Sequence, residues 1–286
     1  MQNRWRIRPY DASDFCSVAR LLKEAFVSSS DASVRFSLSR PNTAAIVAEL
    51  DDAVIGVAMT IRFGETAWVG SVVVSPDWRR KGVGTAVTER AVELALPEAR
   101  TVLLLAVEPA RAVYERLGFE DECSYGTWVL PTTAFDSMRS REASLRPMNA
   151  TDPADEFAHC LELDRIATGE QRISWLEPVA SAMRVVLTPT SRGTETKASG
   201  YRAQLPWGAG PIIAIDCEVA AGLVRETLAA NPETRVEFPD ANEPGRAVMR
   251  ELGLVRVEDD YRMRLGPPVL GFHPQFIYKV LTPTVG

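Results

Sequence analysis

The sequence predicts an α/β fold with a mixed sheet, written twice in tandem. Three observations predict it. The phrase EPARAVYERLGF at 108–119 returns as EPGRAVMRELGL at 243–254, with seven of twelve positions identical. IRPYDASDF, with Arg8 and Pro9, returns as LRPMNATDP, with Arg146 and Pro147. The two offsets, 135 and 138 residues, nearly agree, as expected of tandem copies of one domain. Within each copy, runs with strand character alternate with runs at helical spacing. A chain of 286 residues gives each copy about 140, enough for a core of its own. The polar stretch PTTAFDSMRSREAS opens on Pro131 and marks the joint near 131–143. The expected domains are therefore 1–135 and 143–286.

The first copy reads element by element. Residues 6–9 form a short strand. Asp11 or Ser13 caps a helix with Phe15, Val18, Leu22 and Phe26 on one face. Residues 45–50 and 54–63 are strands joined by a tight turn at Asp51-Asp52, and 68–74 adds a third strand to the meander. A helix follows with Val83, Val87, Ala91 and Leu94 in register. TVLLLAV at 101–107 is a continuous apolar run, as in a strand buried on both faces. The next helix ends in RLGF, where Gly118 suits the left-handed position just past a helix, and 120–130 is the last strand.

Composition excludes several functions. With 46% hydrophobic and 24% charged residues the chain is globular, and its net charge of −6 argues against sequence-independent nucleic-acid binding. The apolar runs are too short to span a bilayer, and MQNRWRIRPY has no signal-peptide core, which points to the cytoplasm. Cys16, Cys123, Cys160 and Cys217 are widely spaced, and His159 and His273 stand near no nucleophile. Neither a metal site nor a Ser-His-Asp site is expected.

The chemistry concentrates in SVVVSPDWRRKGVGTAVTERA. A strand ending at Val72, Val73 and Val74 leads through Arg79, Arg80, Lys81 and Gly82 into a helix opening with Val83, Gly84 and Thr85. A helix N-terminus offers unpaired N–H groups and a positive dipole end to a phosphate. Glycines let the backbone approach closely, and the cations add charge. The spacing is neither a Walker loop nor a dinucleotide turn.

Arg79-x-x-Gly82-x-Gly84 after a valine strand, followed one helix and one strand later by VYERLGF, resembles the GNAT superfamily of N-acetyltransferases across the whole first half. The resemblance implies acetyl-CoA as cosubstrate. Val72, Val73 and Val74 would offer backbone groups to its pantetheine arm. Arg79, Arg80, Lys81, Gly82, Val83, Gly84 and Thr85 would hold its pyrophosphate. Tyr114 would lie near the thioester sulfur. A phenol of reference pKa near 10 suits protonation of a departing thiolate. The amine must attack neutral, a form that makes up only about one part in 2,500 of an alkylamine at pH 7. For the base the sequence offers Glu108, or Glu65 before the third meander strand; the alternative for Glu108 is a helix start, since Glu-Pro recurs at 243–244. The asparagine that many relatives carry seven residues before the tyrosine is here Val107.

In the second half GPIIAIDCEVAAGLVRETLA runs from strand to helix without the basic glycine loop, and Met249 replaces the tyrosine. A methionine cannot donate a proton. The second half resembles the C-terminal domains of some tandem GNAT proteins through LDRIATGEQRISWL, GYRAQ and YRMRLG. It is expected to be a degenerate copy that covers the acceptor site. Asp164, Arg172 and Trp175 are candidate substrate contacts, against the alternative of an ordinary ion pair beside a packed indole. The expected activity is acetyl transfer from acetyl-CoA to a primary amine of a small molecule or peptide, by direct attack in a ternary complex. A mycothiol-synthase-like enzyme and a non-catalytic acyl-CoA sensor stay open as alternatives. Neither nucleic acid nor membrane is an expected partner, and a homodimer is left open.

Overall fold

The computed structural model describes residues 5–26, 29–136, 153–189, 196–282 and 284–285. Residues 137–143 of the expected joint, and Arg146 and Pro147 of the second repeat, lie outside them. By internal contacts the chain divides into two compact units. Unit 1 is Met1–Asp121 with Met263–Pro268 and Val285; unit 2 is Glu122–Arg262 with Val269–Thr284 and Gly286.

Unit 1 contains β1 (Arg6–Pro9), α1 (Phe15–Ala25), α2 (Asp31–Leu38), β2 (Thr43–Leu50), β3 (Ala53–Phe63), β4 (Thr66–Val74), α3 (Val83–Ala95), β5 (Thr101–Val107) and α4 (Glu108–Arg116). The strands lie in the order β1-β2-β3-β4-β5. All neighbours are antiparallel except β4 and β5, which are parallel. Asp51 and Asp52 both take positive φ, +46° and +64°, as the tight hairpin turn between β2 and β3 demands. On one face, Val18, Leu21 and Leu22 of α1 pack with Val47, Val57, Met59 and Val73. Two features open the carboxyl end of the sheet. Pairing of β4 with β5 is confined to Thr66–Trp68 against Thr101–Leu103, so the strands part beyond it. The β3–β4 register also shifts between Val57 and Met59, where β4 carries an extra residue and Ser71 takes φ +52°, the mark of a β-bulge.

The next strand, β6 (Glu120–Val129), counts with unit 2 from Glu122 onward. Unit 2 continues with α5 (Pro153–Thr168), α6 (Ile173–Leu176), β7 (Arg184–Pro189), β8 (Thr196–Leu205), β9 (Gly208–Ala214), α7 (Cys217–Ala230), β10 (Val236–Pro239), α8 (Glu243–Glu251), β11 (Val255–Leu265) and β12 (Ile277–Lys279). β6 lies between β11 and β10, antiparallel to β10, and a separate antiparallel sheet runs β12-β9-β8-β7. The end of β11, from Met263, belongs with unit 1. There Thr101 Oγ1 donates to Pro267 O at 2.7 Å. By internal contacts the division between units thus falls inside β6 and β11.

The repeated phrase has a backbone cause. Gly118 N–H donates to Glu115 O and Phe119 N–H to Tyr114 O; Gly253 N–H donates to Arg250 O and Leu254 N–H to Met249 O. Both glycines take positive φ, +89° and +82°. This is the Schellman ending of α4 and α8. It uses the carbonyl of Tyr114 or Met249 and leaves the side chain there free to differ.

Candidate functional site

The carboxyl ends of β4 and β5 lead into the loop before α3 and into α4, so the two sequence motifs meet at one end of unit 1. Val73 is buried against α1, which turns its neighbours Val72 and Val74 to the other face of β4. The eight residues from Ser75 to Gly82 then make a short 3-10 turn, Pro76–Trp78, and a tight reversal. Arg79 Nε donates to Val74 O at 3.2 Å, and Lys81 Nζ sits 4.5 Å over the Trp78 ring. Arg79, Arg80 and Lys81 are exposed and, among the described residues, make no ion pair.

Gly82 occupies the N-cap of α3 with φ +83° and no side-chain cap. Only glycine adopts that conformation freely. The first turn of α3 therefore keeps its N–H groups and its positive dipole end uncovered. Gly84 needs no such freedom. A Cβ there would meet only Val74 Cγ2 at 3.5 Å, an ordinary contact. An uncapped helix head, three unpaired cations and a bare Gly84 fit a diphosphate.

Tyr114, on α4, is 8% exposed and meets Phe119 edge-on at 6.1 Å. Burial pushes its phenol up to about 12, so it stays protonated across the physiological range. Glu108 is the first residue of α4 and is exposed. It pairs with Arg111 one turn on, at 3.1 Å, and Arg111 also meets Asp121 and Glu115. That is the helix-start arrangement, with the carboxylate neutralised by its own helix. Glu65 sits before β4, at the end remote from the loop. Val107 caps α4 without a side-chain bond.

Asp164, Arg172 and Trp175 come together, but inside unit 2. Arg172 holds Asp164 by two bonds, Nε to Oδ2 at 2.9 Å and Nη2 to Oδ1 at 2.6 Å. Tyr201 Oη donates to the same carboxylate. Burial opposes charge on Arg172, but Asp164 outweighs it and raises the guanidinium pKa. All three expected contacts are at most 2% exposed, which leaves them no face to offer a ligand. They follow the alternative reading of an internal ion pair beside a packed indole.

Unit 2 repeats the plan of unit 1 without the loop. Only Ile215 and Asp216 separate β9 from α7. Asp216 caps α7: its Oδ1 accepts from Glu218 N–H at 2.7 Å and Val219 N–H at 3.1 Å. Met249 is fully buried. Sequence reading missed the bulge at Ser71, which nothing in a run of valines signals. It also missed the cap at Asp216, which the Asp-x-x-Val opening of a helix could have signalled. Among the described residues no group of His, Cys, Asp and Glu could hold a metal ion, and no helix is long and apolar enough to cross a membrane.

A model of the acetyltransferase (GNAT) family matches residues 10–119, and one of an acetyltransferase (GNAT) domain matches 160–278. Over 69 residues the chain is 36% identical to an uncharacterised N-acetyltransferase of Methanocaldococcus jannaschii, a match that takes in 23% of this chain and 30% of that protein. Among solved structures, a candidate acetyltransferase from Pyrococcus horikoshii has a TM-score of 0.78 at 20% identity, covering 100% of this chain and 99% of its own. A GCN5-related N-acetyltransferase from Sphaerobacter thermophilus has 0.65 at 16%, covering 95% and 99%. A tandem GNAT protein from the clavulanic acid biosynthesis pathway has 0.61 at 17%, covering 92% and 99%. At these identities the likeness is one of fold. The two family matches in tandem take in most of the chain, and it belongs to the GNAT acetyltransferase family.

Proposed function

We propose that unit 1 transfers acetyl from acetyl-CoA to a primary amine and that unit 2 binds no cosubstrate. The observation that carries this reading is the head of α3, uncapped at Gly82 and flanked by Arg79, Arg80 and Lys81, which among the described residues make no ion pair. Its N–H groups and these side chains hold the pyrophosphate. The free edge of β4 at Val72, Val73 and Val74 orients the pantetheine arm. Tyr114 passes its phenolic proton to the departing thiolate as the amine bonds to the acetyl carbon and the C–S bond breaks. A phenol raised to about 12 is a weak acid, but burial strengthens the acceptor too. The same desolvation disfavours charge on a departing thiolate and so raises its affinity for the proton. Removal of the amine's proton falls to Glu108, whose exposed pairing with Arg111 is weak, or to solvent.

Titration calorimetry on the full chain tests the reading. One acetyl-CoA per chain is expected; two equivalent sites, or none, overturn it. Release of CoA with a panel of amines, amino acids and peptides then identifies the acceptor class.

A further inference from the structure

In unit 1, β4 and β5 are direct neighbours near their start and then part. Their counterparts in unit 2 are β9 and β10, which lead into α7 and α8 in the same way. These two strands do not pair with each other. Between them runs β12. On one side Ile277 pairs with Ile213 and Lys279 with Ile212. On the other, Val280 N–H donates to Glu237 O of β10 at 2.8 Å. If Gly70 is aligned with Gly210, Ile212 and Ile213 stand where Val72 and Val73 stand in unit 1.

We propose that unit 2 contains a binding slot for an extended peptide strand, and that the chain's own residues 277–280 fill it. The slot is the counterpart of the gap that unit 1 keeps for the pantetheine arm, an equivalence that rests on the function proposed for unit 1. Three features fit a peptide occupant. Both walls offer backbone hydrogen bonds, which a β-strand can meet on both of its edges. Asn242, seven residues before Met249, spans α8 and the occupant: its Oδ1 accepts from Gly245 N–H and its Nδ2 donates to Ile277 O, each at 2.8 Å. Tyr278, 2% exposed, enters one apolar cluster with Ile212, Ala214, Val248 and Met249. The phosphate end of the slot is closed as well, because Asp216 occupies the head of α7. The occupant thus replaces the cosubstrate arm with peptide and places a tyrosine in the same apolar cluster as the methionine that replaced Tyr114.

Hydrogen exchange on the intact chain, read by mass spectrometry, tests this without any ligand. Peptides covering 276–281 should exchange within about tenfold of those covering β9. Exchange a thousandfold faster, as at a fraying terminus, would overturn the proposal. Tyr278→Ala should accelerate exchange at 276–281 and across α7 and α8 by tenfold or more while leaving α1 and β2 unchanged; no change at 276–281 overturns it. If that variant does not fold, the wild-type measurement decides alone. Neither readout involves acetyl-CoA, so failure of unit 1 as a transferase would be seen separately, in the calorimetry.

Discussion

Gly82 and Asp216 occupy corresponding places, each the residue before the first turn of the helix that follows its unit's central strand. Asp216 fills that helix head with its own carboxylate; Gly82, at φ +83°, has no side chain to put there. One head is chemically finished and the other is open to an anion.

Gly84 separates fold from ligand. Its Cβ has room, so Gly84→Glu should fold with an unchanged melting temperature, within about 2 °C. Acetyl-CoA affinity should fall at least a hundredfold, because a carboxylate would face the uncapped N–H groups. Gly84→Ala should lose less. Unaltered binding in Gly84→Glu, measured by calorimetry, would move the phosphate site elsewhere.

Tyr114→Phe keeps the ring against Phe119 and removes the proton. The expected loss is about 10²–10⁴ in kcat with little change in acetyl-CoA affinity. Because burial holds the phenol near 12, its protonated form persists as pH rises. The kcat profile should therefore climb as the amine loses its proton and show no alkaline fall below pH 10. A falling limb near pH 8 or 9 would assign the acid to another group.

Arg172→Ala leaves Asp164 charged and buried without its partner. Breaking such a pair costs about 3–5 kcal/mol, read as a lower urea midpoint. The folded fraction should keep its KM for the acceptor amine. A tenfold rise in KM with stability intact would instead give these residues the ligand contact first expected of them.

Buried Glu237 and Lys279 and half-buried Asp260 form a titratable group in unit 2. Burial and neighbouring Asp260 push Glu237 up from 4.5 to about 8, against the pull of Lys279, with Glu258 and Arg235 adding smaller effects of opposite sign. Burial and neighbouring Glu258 lift Asp260 from 3.8 to about 6. Burial draws Lys279 down from 10.5 to about 8. The folded state keeps the Glu237 proton that the unfolded chain has released, so stability falls as pH rises from about 4.5 to 8. From 8 to 10.5 the unfolded chain holds the Lys279 proton that the folded state has lost, and stability recovers. Melting temperatures across pH 5–10 should show this minimum, and Glu237→Gln should make its acid side shallower, leaving the fall below about pH 6 that Asp260 contributes. Identical curves for the two proteins would contradict it.

Much of unit 1 was legible because its signals are local. The apolar run 101–107 coincides with β5, the Asp51-Asp52 turn has the expected conformation, and RLGF ends α4 as its glycine requires. The helix α2 was not seen, since only Val34 on it is buried; Ser30 and Ser33, which cap it reciprocally, were the available clue. The candidate contacts at 164, 172 and 175 show the opposite difficulty. Charge beside an aromatic reads alike whether it faces a ligand or a core, and only burial separates the two. β12 is three residues long in a Pro/Gly-rich tail, and its neighbours in β10 and β9 lie 43 and 64 residues back in sequence (Val280 to Glu237, Ile277 to Ile213), beyond the reach of any window.

The assignment of Met263–Pro268 to unit 1 has a consequence for the order of synthesis. Unit 1 lacks this segment until the ribosome has passed Glu122–Arg262 of unit 2. At about 5–20 residues per second, the roughly 145 intervening residues impose a wait of about 7–30 s. During that time the outer edge of β5 has no partner from its own unit. Unit 1 is therefore completed late in translation, and a chain cut after Asp121 lacks the segment that completes it.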